Sequence, residues 1–147
     1  VERIIAEGHN IGNHSYSHSN WNGFFSTEKI VSEILQTNDL ITQLVNVKTR
    51  FYRPPFGVTN PNIAKAISKT NQISIGWNIR SLDTVIKSEN LILERIIKRV
   101  QPGSIILLHD TSTKTVSVLE QLLLFLQSES YKTITIDELL EISKDEN

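Results

Sequence analysis

The stretch Ser104-Ile105-Ile106-Leu107-Leu108 contains four aliphatic residues in succession and no charge. A strand with one wet face alternates apolar and polar side chains; an unbroken run fits a strand covered on both faces, as in a parallel sheet. Parallel neighbours cannot be joined by a tight hairpin. They need a crossover, normally a helix, so this run restricts the chain to the α/β class. Pro102-Gly103 supplies the turn that introduces it.

The rest of the chain has the pattern such a sheet requires. His9 to Asn13 reads as a short strand. Ser26 opens a helix with Glu28 in its first turn; Ile30, Ile34, Ile41 and Val45 lie close to one face, which Val31, Leu35 and Leu44 widen. Val47 to Tyr52 reads as a strand stopped by Pro54-Pro55. Asn60-Pro61 is a cap followed by proline at the first helical position, predicting a helix to about Thr70. Gln72 to Ile79 is β-branched and reads as one strand. Ser88 starts a helix with Leu91, Ile92, Ile96 and Val100 on or near one side. Val116 to Gln127 is helical, Lys132 to Ile136 a strand, and Asp137 the cap of a last short helix. One domain over residues 1–147 is expected, its sheet open or closed into a barrel.

With 39% hydrophobic and 21% charged residues the chain suits a folded globular domain. A formal net charge of −1 gives no field for nucleic acid or an anionic membrane, and no apolar run reaches the ~20 residues of a membrane span. Without cysteine there is neither disulfide nor thiolate metal site. The opening Val1-Glu2-Arg3-Ile4-Ile5-Ala6-Glu7-Gly8 reads as the end of a helix closed by glycine. Because the first turns of that helix are missing, residue 1 is expected not to be the natural start; loss of an initiator methionine would explain the absence of Met but not the truncated helix.

Chemistry in α/β folds gathers at the C-terminal ends of strands, and the polar clusters fall there. Three of the four histidines lie within ten residues, at His9, His14 and His18. A spacing of four on a helical turn puts His14 and His18 on one side, able to share a metal; the alternative is a pair of surface histidines. His9, facing the other way along a strand, reads as structural. In Arg53-Pro54-Pro55-Phe56-Gly57 the prolines stiffen a loop that holds Arg53 and can aim a backbone N–H at an anion, or that simply ends a strand. His109, at the end of the apolar run, is either a general acid or base or a core-boundary histidine. Asp83 either supports a histidine or caps a turn.

Together, GHNIGNHSYSH, RPPFG, WNIRSLD and LLHD resemble, in order and separation, the polysaccharide deacetylases, carbohydrate esterase family 4 with its NodB-like domain. The resemblance covers essentially the whole chain and implies a distorted (β/α) barrel. It implies a divalent metal, most often zinc, on His14, His18 and an aspartate. Arg53 matches the arginine paired with the catalytic base, the N–H of Phe56 the oxyanion donor, His109 the general acid and Asp83 its support. Leu107 matches the residue lining the acetyl-methyl pocket, and Trp77 falls among the substrate contacts. The implied activity is removal of N- or O-acetyl groups from amino-sugar polymers such as peptidoglycan or chitin-like chains, with an acetylated glycan as partner and a secreted, periplasmic or cell-surface workplace.

Two departures stand out. The family's Thr-Phe-Asp-Asp-Gly-Pro motif, source of the base and the metal aspartate, is not among the 147 residues. It is expected upstream of residue 1, which leaves this stretch alone inactive and its barrel incomplete, with exposed sheet edges that self-association would cover. Thr84 stands where many members carry tryptophan. The alternatives are a non-catalytic carbohydrate-binding domain on the same scaffold, or a related deformylase or cyclic-amide hydrolase.

Overall fold

The computed structural model describes residues 1–141. They divide into two compact units: Val1–Gly76 with the segment from Thr135 onward, and Trp77–Ile134.

The first unit opens with α1 (Glu2–Ala6). Gly8 takes φ +81, and the N–H groups of Gly8 and His9 return to the carbonyls of Ile5 and Ile4. This is the glycine-closed helix end expected from sequence, and the left-handed backbone is why glycine stands there. Helix α2 (Thr27–Val45) is capped by the Ser26 side chain, and α3 (Pro61–Lys69) by Asn60, whose side chain accepts the Ile63 N–H. Ile30 and Ile34 on α2 meet Ile63 and Ala66 on α3 and Tyr52, all fully buried. The face of α2 is narrower than expected. Leu35 is 46% exposed and Leu44 57%; each residue turns the helix by about 100°, which carries Leu35 from Ile34 onto the flank.

Strands β1 (Phe51–Tyr52) and β2 (Ile73–Ser74) pair in parallel, with Phe51 opposite Ile73 and Tyr52 opposite Ser74. On the other edge of β1 the expected strand at His9–Asn13 shrinks to a single parallel bridge between Asn13 and Tyr52. The Ile11 carbonyl accepts the Thr49 hydroxyl instead of a ladder N–H. The predicted strand at Lys132–Ile136 does not form. Thr135, not Asp137, caps α6 (Ile136–Leu139) in a reciprocal box with Glu138. Asp137 accepts from Asn10 and Arg50.

In the second unit β3 (Ile79–Arg80) pairs in parallel with β4 (Ile106–Leu107). The single strand expected over Gln72–Ile79 is therefore two, β2 and β3, in separate sheets. Helices α4 (Glu89–Ile97) and α5 (Thr113–Ser128) are capped by Ser88 and Ser112. Ile92 and Ile96 from α4, Val118, Leu122 and Leu126 from α5, and Ile79 make the core. Leu91 is exposed and does not join them. In the apolar run only Leu107 is buried; Ser104, Ile105, Ile106 and Leu108 stay half-buried, so its cover is less complete than expected. Among the described residues no helix is long and apolar enough to cross a membrane.

Truncating Ile34, fully buried, to alanine removes packed volume that its neighbours cannot refill, and is expected to cost about 2–5 kcal/mol in urea unfolding. Leu35→Ala, one residue on and half-exposed, should cost about 1 kcal/mol or less.

Candidate functional site

In the first unit the site starts from Asn13. Its backbone is locked to β1, its N–H donating to the Phe51 carbonyl and its own carbonyl accepting the Arg53 N–H. Its buried side chain donates to the Ile34 carbonyl and to Asn38 on α2, and its Oδ1 accepts the Ser15 N–H at 2.8 Å. The segment that follows is not helical: Ser15 has φ +73 and His18 φ +46. Two left-handed residues fold the loop back, and the His14 and His18 ring centroids come within 4.8 Å. The expectation that the pair faces one way holds; the helical turn that was to achieve it is replaced by this strained loop.

Glu33 of α2 holds the loop. Its carboxylate, 2% exposed, accepts on one oxygen from the Ser17 N–H (2.7 Å), the Ser17 hydroxyl (2.8 Å) and the Ser15 hydroxyl (2.9 Å). Lys29 lies 3.1 Å from the other oxygen. Burial opposes ionisation, but these donors outweigh it and hold the carboxyl at about 2.

His14 Nδ1 lies 2.7 Å from the Arg53 carbonyl. A carbonyl only accepts, so Nδ1 carries the proton and Nε2 the lone pair, the tautomer a metal ligand needs. The Arg53 guanidinium donates to the carbonyls of Ile75 and Gly76, and burial lowers its pKa while leaving it charged. After Pro54-Pro55, Phe56 takes φ +58, forced by a turn in which the Gly57 and Val58 N–H groups return to Pro54 and Pro55. The Phe56 N–H has no hydrogen-bond partner among the described residues. Its ring meets His18 edge-on, centroids 4.8 Å apart. His9 stands apart, 3.9 Å from Glu7.

In the second unit Asp83, 1% exposed, follows a left-handed Leu82 at φ +61. Oδ1 accepts from Ser81 (2.8 Å) and pairs with His109 Nδ1 (2.8 Å); Oδ2 accepts the His109 N–H (2.7 Å) and the Thr115 hydroxyl (3.1 Å). Burial would raise its pKa, but His109, Ser81 and Thr115 bring it down to about 2. An ionised carboxylate cannot donate, so His109 Nδ1 carries the proton. The imidazole keeps Nε2 for other partners and is 39% exposed. Leu107, two residues before His109, is buried on β4, and half-buried Trp77 opens the unit.

The structure thus brings His14, His18, Arg53 and Phe56 together in one unit, and Asp83 and His109 in the other. Sequence reasoning missed Glu33, Asn13, Ser81 and Thr115. Ser81 and Asn13 were findable as short polar residues beside Asp83 and His14. Glu33 sits in an amphipathic helix like any surface charge and had no signal. Among the described residues no third His, Cys, Asp or Glu joins the histidine pair as a metal-binding group.

Comparison with known proteins gives a consistent picture. The family model described as polysaccharide deacetylase matches residues 1–73. Peptidoglycan-N-acetylglucosamine deacetylase PgdA of Listeria monocytogenes is 29% identical over 95% of this chain and 29% of its own length. The Bc1960 peptidoglycan N-acetylglucosamine deacetylase superposes with TM-score 0.89 at 28% identity, covering 97% of this chain and 68% of that one. A carbohydrate esterase family 4 acetyl xylan esterase from Clostridium thermocellum, solved with a cobalt ion, gives 0.86 at 28% over 96% and 68%. A pseudoenzyme of that family from Bacillus anthracis, BA3943, gives 0.86 at 28% over 95% and 49%. The α/β fold of the deacetylases, expected from the motifs, is shown by these likenesses. The chain spans 29% to 54% of curated relatives it matches.

Glu33 and Asp83 bind protons less readily folded than unfolded, so the unfolded chain gains protons first as pH falls. Their stabilisation, on the order of 2–3 kcal/mol each, is complete above about pH 5 and is lost toward pH 2. Thermal melts should show that decline, and Asp83→Asn should flatten part of it.

Proposed function

We propose that this chain, which belongs to the polysaccharide deacetylase family, carries the metal-histidine and general-acid parts of an enzyme that removes acetyl groups from cell-wall amino sugars. The observation that carries the reading is the His14–His18 pair, its His14 tautomer set by the Arg53 carbonyl. Two adjacent imidazoles fit a divalent ion of the zinc type, with a carboxylate from beyond these residues as third ligand. Bound there, zinc supplies Lewis-acid polarisation and a water acidic enough to ionise near pH 7.

The other residues take their roles from their own geometry. The unengaged Phe56 N–H donates to the oxygen that becomes negative as the amide carbon turns tetrahedral. His109, acting in its doubly protonated form, releases the Nε2 proton to the departing nitrogen and keeps the Nδ1 proton on Asp83, which fixes the ring. Arg53 orients the base carboxylate, and Leu107 and Trp77 contact the acetyl methyl and the sugar. The substrate places the work at the cell wall, outside the cytoplasmic membrane. A second reading, a carbohydrate-binding domain without catalysis, is favoured by the likeness to the BA3943 pseudoenzyme.

Acetate released from N-acetylglucosamine oligomers by the full-length protein separates the two. We expect release, lost in His14→Ala together with bound metal, and lowered roughly 10²–10⁴-fold in His109→Ala. Oligomer binding without acetate would decide for the second reading.

A further inference from the structure

We propose that Glu33 is a positioning residue for the His14–His18 pair: it sets the geometry in which both imidazoles meet one metal ion. The inference rests on the reading that this pair is a metal site. Glu33 stands in the middle of α2, beside the buried Ile34 and three residues from Ile30. A carboxylate there loses its hydration, a cost that an aliphatic side chain in the same place would not carry. Stability of the helix therefore does not call for it. The other acids of the helix, Glu28 and Asp39, remain in water.

What the buried charge obtains is specific. All three donors from the loop converge on its Oε2, and they come from Ser15 and Ser17 only. These are the residues immediately after His14 and before His18. Lys29, one turn earlier on α2, engages Oε1 and keeps the carboxylate oriented. Ser15 and His18 are both left-handed, so the loop has no regular backbone ladder to define it. Its shape is fixed from outside, at Ser15 and Ser17 by Glu33 and at Ser15 by Asn13. Tyr16 between them is exposed and adds no anchor of its own. Moving either serine moves the histidine bonded to it, and metal ligands tolerate displacements of only tenths of an ångström.

Two measurements on the full-length protein, which carries the third ligand, test this. Zinc chloride titrated against the imidazole NMR signals of His14 and His18 gives affinity. Hydrogen exchange at the Ser17 N–H, followed without metal, gives the order of the loop. At a temperature where circular dichroism shows the helices intact, Glu33→Leu should weaken zinc roughly 10–100-fold and accelerate Ser17 exchange. Glu33→Gln, which keeps one acceptor oxygen, should fall between. Should Glu33→Leu not fold, the Ser15→Ala/Ser17→Ala double variant, which leaves α2 untouched, must show the same loss of affinity. Unchanged zinc affinity in these folded variants overturns the positioning role. Absence of zinc binding by the unaltered full-length protein overturns the metal site itself; the exchange data then still report whether Glu33 orders the loop, so the two failures are distinguishable.

Discussion

Glu33 and Asp83 are both nearly inaccessible to water, and each is met by four donors. A carboxylate taken out of water is tolerated only when its lone pairs are satisfied, and satisfying them pulls the donors into one place. That is how each unit gathers its candidate site residues. Around Glu33 the donors belong to the loop that presents two histidines. Around Asp83 they belong to the ring and backbone of a third, to Ser81 just after β3 and to Thr115 in the first turn of α5. In both cases the charge sits on or beside a regular element and the candidate side chain on irregular backbone, so the regular part fixes the irregular one.

The irregular backbone is itself a cost accepted at the candidate site residues. Ser15, His18, Phe56 and Leu82 all have positive φ, and none is glycine. Each lies in, or immediately beside, the residues given roles above. Left-handed conformations of such residues cost on the order of 1–2 kcal/mol and persist where surrounding contacts impose them. The contacts are visible: Asn13 and Glu33 for Ser15, the Pro54-Pro55 turn for Phe56, Ser81 and Asp83 around Leu82. The parallel pairing of β1 supplies the fixed reference, since Asn13 and Arg53 are bonded directly to each other and their neighbours carry the site.

Helix starts were legible because caps are local. Ser26, Asn60 and Ser88 were identified from side chains that bond their own first turn, and each does so. Strand extents were not legible. Gln72–Ile79 has uniform β character, yet Ile73–Ser74 and Ile79–Arg80 pair with different partners, and a ladder ends where its partner ends. Lys132–Ile136 has the same local preference and no ladder at all among the described residues. The histidine pair was legible as a candidate, because spacing and residue type suggest it and the accompanying RPPFG and LLHD motifs strengthen it. Its local conformation was not, since the loop is shaped by a glutamate fifteen residues after His18 that looks in sequence like an ordinary solvated charge.

The amino-acid sequence by itself determined the α/β class, the resemblance to the polysaccharide deacetylases and which residues are candidates for the site, because periodicity, caps and short motifs are properties of neighbouring residues. Only the tertiary structure decided which nitrogen of His14 and of His109 holds the proton, how the His14–Ser15–Tyr16–Ser17–His18 loop turns, and that Glu33 and Asp83 are buried anchors. Those depend on groups remote in sequence, the Arg53 carbonyl, the face of α2 and the Thr115 hydroxyl. Hydrogen bonds are directional and short, so protonation and loop shape are fixed only when the partners have been folded into reach.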